Sequence, residues 1–593
     1  MMNVRSLYPL CSLLLLTVLS ASVFAQGSNN QEVRLKQANT AFHAGYAAAS
    51  KGDLTTARHQ FETVVQLAPE VEEGHSALGA ILYQLGEYPG AIRELERALN
   101  LKPEDTSAQE NLAMSYSQTG NYQVALPIFE KLTSGGSSQK LTSPPPDLLA
   151  AFARAYAAAG QYPQAIERMQ AAIQASPQNA IFYDQLGSIY AQQQNWVPAQ
   201  DAFERALQID SGLATAHLHL GVVLESEQLM PTAIAELNKA VQVLPQNAVI
   251  QFELGKALAA AEQDEDAIPH LQRAIDLDSS LIEAANQLAM ALQRSGDMSK
   301  AIPLFEKVIA AQPQNLAALN NLALAFIQTG KAKDAIVLCQ RALTIAPNDT
   351  GTLQNLGIAY LQQSDMDDAI REFQAGLKSA PDSPQLHYNL GLSYKLKDDL
   401  PHAVSELEAA SKLDPTSPDA PYTLGILYMQ AGRFDEAVGS LTSALDRRPE
   451  NGDGWAILGS VYRQQGKYDE AIGALRKAIN LLPRQPGPHI TLASVLQEQG
   501  KKDEAAVERK AAADLTRIAV NRQRAEFNTN TGNALLEKGE VADAVSRYQD
   551  AISNDPNYVE AHRQLAIAYE REGRNADAAA ERQKAKDVEQ NHP

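Results

Sequence analysis

The sequence predicts an all-α fold, a solenoid of about sixteen helix-turn-helix repeats, and three observations point to it. A Gly or Ala returns every 34 residues with two changes of phase, from Gly45 and Gly79 through Ala153, Gly187, Gly221 and Gly255 to Ala566. A second small position is Ala in all sixteen repeats, from Ala57 and Ala91 through Ala335, Ala369 and Ala403 to Ala544 and Ala578. Composition agrees with helices: Ala, Leu and Gln are abundant and aromatics make up only 6%. A fixed period of roughly 20 to 50 residues is the mark of stacked repeats that each touch only their neighbours.

Numbering each repeat so that the first small residue is position 8 starts repeat 1 at Ala38. Positions 4, 7, 8 and 11 then share one face of a first helix, and positions 20, 24 and 27 one face of a second. Position 11 is often Tyr (Tyr116, Tyr156, Tyr190, Tyr360) and position 24 is bulky (Phe61, Phe129, Phe203, Phe305, Phe373, Tyr548). Small residues at 8 and 20 are expected to let the two helix backbones approach, with positions 11 and 24 filling the remaining volume. Gly at position 15, as in Gly86 and Gly330, supplies the turn. Position 32 is Pro in eleven repeats, among them Pro69, Pro313 and Pro483, and ends the second helix by removing an amide donor and restricting its predecessor.

Along the chain, residues 1–25 read as a signal peptide: Arg5, the apolar run Leu10–Leu19, then Val23-Phe24-Ala25 before Gln26. Residues 26–37 are expected as a linker and 38–132 as repeats 1–3. Residues 133–147 add six residues to the phase and read as a flexible loop with a stiff proline end. Repeats 4–14 fill 148–519 without insertion, and 520–593 hold repeats 15–16 with a terminal capping helix, where Arg582 replaces the bulky residue. The stop proline is missing after repeat 14, so Ala511–Arg524 is expected to extend a helix. The two changes of phase are the expected hinges.

The pattern resembles the tetratricopeptide repeat, and repeat 13 shows the full signature in Trp455, Leu458, Gly459, Tyr462, Gly466, Ala471, Ala478 and Pro483. The resemblance covers essentially everything after the leader and implies a protein-binding scaffold. Such repeats serve many unrelated partners, so function has to be argued from a site.

Loss of the leader takes the net charge from −20 to −21, since it holds Arg5 and no acid. An acidic surface repels phosphate backbones, which argues against nucleic acid as partner, and disfavours adhesion to anionic bilayers. No segment after the leader is long and apolar enough to cross a membrane, which argues against stable membrane insertion. The expected product is exported, periplasmic or secreted. Cys339 is then the lone cysteine, at the packing position 24, which excludes an internal disulfide.

No catalytic constellation, metal site or cofactor signature is found, and the chain is read as non-enzymatic. His75, His217, His387 and His489 all fall at position 4 on separate repeats, which makes them frame residues rather than one metal site. One pattern does not follow from packing. Position 6 is Asn111, Gln185, Gln287, Asn321, Asn355, Asn389, Asn530 and Gln564, and position 13, two turns on along the same face, is Gln84, Gln118, Gln192, Gln328, Gln362, Gln430 and Gln464. These two lines of amides are expected on the concave surface, where each can both donate to and accept from a peptide backbone. The Asn run looks like the asparagine ladder of O-linked N-acetylglucosamine transferases, which implies extended peptide as ligand; the catalytic domain of those enzymes is absent. The plainer alternative is that the amides only solvate an exposed face.

Protein or peptide partners are therefore expected, and the sequence leaves the oligomeric state open. Scaffolding of an envelope or polysaccharide-export machine, or support of a transferase or protease encoded elsewhere, are the alternative roles. A carboxylate clamp would need more than Arg154 and Lys256, which stand repeats apart. The basic run Arg509, Lys510, Arg517, Arg522 and Arg524 offers a dock for an acidic partner, against the simpler reading of a solvated helix face.

Overall fold

The computed structural model describes residues 28–133 and 144–591, and among these it forms 31 α-helices and no strand. The first helix of each regular repeat covers positions 1 to 13 and the second positions 17 to 30, as in Glu72–Gln84 followed by Tyr88–Leu101. The helices fall into two compact units, the first ending at Ala311 and the second beginning at Gln312.

Packing within a hairpin follows the repeat frame. Every position-20 alanine from Ala57 to Ala544 is fully buried, as are most side chains at position 24. The small residue at position 8 has a more specific role than backbone approach. A Cβ built on Gly79 would stand 2.5 Å from Leu95 Cγ, and one on Gly187 2.6 Å from Phe203 Cε1. The nearest obstacle is the position-24 side chain, so position 8 is small to seat it. Gly86 and Gly330 turn the chain at φ 78° and 74°. Gln194, Gln228, Glu262, Ser364 and Asp398 occupy the same left-handed turn at φ 57° to 62°, where a side chain is disfavoured.

Three expectations change. Residues 28–37 are helix rather than linker: they hold no Gly or Pro, they continue into the first repeat as one helix, Ser28–Ser50, and Leu35 packs on the first core cluster. Thr133 and Pro146–Asp147 belong to the flanking helices, so the expected loop is shorter, and residues 134–143 lie outside the described ones. The boundary at 519/520 does not exist, because Lys502–Glu537 is one helix of 36 residues. The division into two units falls at Ala311, within the regular run. Hairpins that touch only their neighbours let a long array divide near its middle without a loop. The signal peptide lies outside the described residues.

Candidate partner-binding surface

Within each unit the first helices of neighbouring hairpins pack on one another, for example Leu316–Gln328 on Thr350–Gln362, whereas no comparable packing joins second helices among the described residues. A stack whose first helices crowd together curves with them on the inside. Positions 6 and 13 lie on these first helices, but they are not equivalent.

Position 6 is half-buried at Asn111, Gln185, Gln287, Asn321, Asn355 and Asn389. Several of these amides already serve the fold. Asn355 donates to the Asn320 carbonyl of the preceding repeat at 3.4 Å, Asn111 to the Ser107 carbonyl at 3.0 Å, and Gln287 to Glu283 at 3.1 Å. Position 13 is exposed at Gln118, Gln192, Gln328, Gln362, Gln430 and Gln464. Gln362 still reaches back to the Ile327 carbonyl at 3.0 Å. The outer line is thus the more accessible, while the inner line is partly spent on bonds of the fold; each line gives one of these amides, Asn355 and Gln362, to the preceding repeat.

Position 4 has a role that the apolar frame concealed. His75 Nε2 donates to the Pro69 carbonyl at 3.0 Å, His217 to Ser211 at 3.1 Å, His387 to Pro381 at 2.9 Å and His562 to Pro556 at 2.9 Å. Each acceptor is position 32 of the preceding repeat. Gln109, Gln251 and Trp455 make the same bond to Pro103, Pro245 and Pro449. In the histidine repeats Nδ1 faces a glutamate at position 23: His75 with Glu94 at 2.7 Å, His387 with Glu406 at 2.6 Å, His562 with Glu581 at 2.6 Å. A carbonyl only accepts, so Nε2 carries hydrogen and a further proton lies between Nδ1 and the carboxylate. Burial works against ionisation of Glu236 and Glu581, yet hydrogen bonds from Lys239 and His217, and from Lys584 and His562, hold both below the usual carboxylate range. The signal in the sequence was the pairing of His at position 4 with Glu nineteen residues on.

Other polar clusters are structural. Asp184, Ser188 and His219 meet, but Asp184 at 2.8 Å and Ser188 at 3.5 Å both lie on Nδ1 of the imidazole, so the ring cannot pass a proton from the serine to the aspartate. Burial first, then the neighbouring Asp105, pushes the Glu72 carboxyl up to about 8. Burial also pushes the Cys339 thiol up to about 12, which leaves no thiolate at neutral pH. Lys256 is held by Glu253 of its own helix at 2.5 Å and by Glu225 of the preceding repeat at 3.4 Å, so it is committed to the stack. Of the basic run, Arg522 pairs with Asp555 at 2.8 Å and lies over the Tyr558 ring, while Arg509, Arg517 and Arg524 line a groove. Among the described residues no group of three or more His, Cys, Asp or Glu is placed to hold a metal, and no helix is long and apolar enough to cross a membrane.

Family models agree with this architecture. One described as TPR repeat matches residues 79–120 and 532–573, and one described as Tetratricopeptide repeat matches 150–214. A third, Cilia and flagella-associated protein 70 C-terminal domain, matches 283–526. Cellulose synthase operon protein C of Xanthomonas axonopodis pv. citri (strain 306) is 31% identical over 165 residues, covering 27% of this chain and 10% of that protein. The chain thus spans about a tenth of the length of this curated relative. Similar solved structures include YrrB, described as a TPR protein with an unusual peptide-binding site (26% identity, 31% of this chain, 95% of that one, TM-score 0.30). MamA (27% identity, 27% of this chain, 94% of that one, TM-score 0.27) and yeast Tom70 (15% identity, 72% of this chain, 96% of that one, TM-score 0.34) are others.

Proposed function

The chain is a tetratricopeptide repeat protein, a fold that implies a scaffold for protein–protein interaction, and we propose that it is an exported, non-enzymatic one that holds extended segments of partner proteins against its first helices. The observation that carries this reading is the row of exposed position-13 glutamines at Gln328, Gln362, Gln430 and Gln464, which spans five successive hairpins and is interrupted only by Leu396. Amides repeated at hairpin spacing suit a ligand that is itself repetitive, and a polypeptide backbone is one. Because the surface is built by rigid stacking, little ordering is needed on the scaffold side. Each contact is worth about 0.5–1.5 kcal/mol, so affinity accumulates over several repeats and the ligand is loosely specified in sequence.

The test compares two multiple variants of the full mature chain. Gln362→Ala, Gln430→Ala and Gln464→Ala together are expected to lower recovery of captured partners by about 10- to 1,000-fold, from three such contacts. Asn321→Ala, Asn355→Ala and Asn389→Ala together are expected to lower stability as well as recovery, because position 6 also joins repeats. Unchanged recovery by the glutamine variant, with helicity intact, removes the reading. Export is checked separately: the mature chain should begin at Gln26, and N-terminal sequencing that returns Met1 defeats that part. A second reading, a scaffold within an envelope or polysaccharide-export assembly, draws on the stretch shared with cellulose synthase operon protein C. It gains if the captured partners are assembly components retained by the glutamine variant.

A further inference from the structure

Repeat 14 has the features of a chain end, although two more repeats follow it. Position 24, bulky and buried elsewhere in the second unit, is Arg509 here and Arg582 in the last repeat, and both are exposed. Position 5 is half-buried at Asn320, Gln354, Tyr388, Tyr422 and Ala456 and buried at Thr529, but exposed at Ile490 and Arg563. Position 12 shows the same split in this unit: only Gln497 and Glu570 are exposed there. The fourteenth and sixteenth repeats are therefore the two whose first helix lacks a regularly stacked successor.

The cause is the fused helix. Repeat 14 carries Arg517 at position 32, where most repeats have the stop proline, and the spacing from Ala493 to Gly532 is 39 residues instead of 34. Helix Lys502–Glu537 runs straight through the missing turn, about 54 Å in length for its 36 residues. Its residues cannot fold back over Pro486–Glu498 as the next first helix does elsewhere. What remains is a groove of about 840 Å³ between Pro486–Glu498 and the 509–524 stretch.

The chemistry of this groove is unlike that of the rest of the chain. Its floor is apolar, with Ile490, Ala493, Ala512, Ala513 and Val520, and its rim holds Arg463, Arg509, Arg517 and Arg524 against one carboxylate, Glu498. Glu498 is already bound by Arg463 at 2.5 Å. Arg509 makes only 3.3 Å contacts to the Ala505 carbonyl and Gln497, and Arg517 holds Asp514 on its own helix at 3.0 Å. Arg524 has no ion-pair partner among the described residues. Four arginines line one apolar trough, two of them offset by Glu498 and Asp514, so the groove keeps a positive local field on a chain of net charge −20.

We propose that this groove seats an acidic amphipathic helix of a partner protein, in the place where a regular successor would lay its first helix. The partner's apolar stripe rests on Ile490, Ala512 and Val520, and its carboxylates meet Arg509, Arg517 and Arg524 bidentately. The helical form follows from the place, since the trough lies between two helix faces and is lined by positions 5 and 12, which a following first helix covers elsewhere in this unit. The acidic character follows from the rim. The site is separate from the position-13 glutamines, so either reading can fail without the other.

The experiment uses the full mature chain and a fluorescent synthetic peptide of about 15 residues, four helical turns, with Leu at every third and fourth position and Glu elsewhere. Control peptides carry Lys for Glu, or the same residues in scrambled order. The acidic helix is expected to bind and to protect 490–497 and 509–524 from hydrogen exchange, with affinity falling as salt rises. The double variant Arg517→Glu, Arg524→Glu should weaken it about tenfold or more, and the separate variant Ile490→Ser should weaken it without changing charge. Both act on exposed side chains, and circular dichroism checks that helicity is kept. The proposal is overturned by absence of binding, by equal binding of the control peptides, by unchanged affinity in both variants, or by protection elsewhere on the chain. It is also overturned if sedimentation shows the groove occupied by a second copy, as a dimer lost in Arg517→Glu, Arg524→Glu.

Discussion

Repeats 10 to 13 and repeat 14 share a pair of small residues and a first helix of 12 or 13 residues, yet the former are sealed by their successors and the latter is open. The difference comes down to two side chains. Arg517 in place of proline removes the stop, and Arg509 in place of Phe or Leu removes the plug that fills the layer between helices. Stacking in this fold is therefore not a property of the hairpin alone. It needs a turn that returns the chain and a side chain that closes the seam.

The comparison can be broken most directly at the stop. Arg517→Pro should cost about 3 kcal/mol, because it places proline inside a continuous helix, whereas Pro483→Ala at a turn should cost under about 1 kcal/mol. Repeat arrays unfold in pieces, so hydrogen exchange around 505–530 is the appropriate measure. A neutral Arg517→Pro would mean the helix is already interrupted, and the account of the groove would fall with it.

Next is the plug. Gly425→Val drives a branched side chain against Leu441, whose Cγ lies 2.5 Å from where a Cβ would stand, and should cost about 1–3 kcal/mol. Ala493→Val in repeat 14 faces the exposed Arg509 instead and should cost less than half as much. Equal losses at the two sites, read by urea denaturation, would show that repeat 14 is as tightly seamed as its neighbours.

The position-4 latch sharpens the same contrast. His387 bonds both Glu406 and the Pro381 carbonyl, whereas His489 is held by Glu508 alone at 2.6 Å. His387→Ala is expected to cost about 2 kcal/mol and His489→Ala about half that, following one charge-assisted bond and one further bond lost against a single one. In the last repeat the pair also sets a pH dependence. Because the folded Glu581 carboxyl lies below its ordinary value, its stabilisation is present above that value and disappears as pH falls through the lowered one, so the final hairpin should loosen first under acid. A final hairpin whose exchange is unchanged below about pH 4 would count against the latch.

The smallest effect lies at the turns. Gln228 sits at φ 62° where other repeats have glycine, and Gln228→Gly should stabilise by about 0.5–1 kcal/mol, measured as a small rise in Tm. A loss instead would mean the glutamine side chain contributes more than its strained backbone costs.

Much of this was legible without coordinates. The Ala at position 20, the bulky residue at 24, the turn glycines and the stop prolines each appear where the frame put them, and the missing proline after repeat 14 announced the long helix. The amide lines were legible as a pattern but not in their division of labour: whether Asn355 faces a ligand or the Asn320 carbonyl depends on the rise between two repeats, which no single repeat encodes. The position-4 histidines were placed correctly as frame residues, while their bond to the preceding proline carbonyl was hidden because its two ends belong to different repeats.

The sequence by itself determined the hairpin, because period, small-residue spacing and helix stops act within about 34 residues and are set by local sterics. Tertiary structure alone decided which amides are spent between repeats, where the array divides at Ala311, and that the first helix of repeat 14 is left uncovered. Those outcomes depend on how one hairpin lies on the next, a relation fixed by contacts between repeats rather than by the pattern inside any one of them.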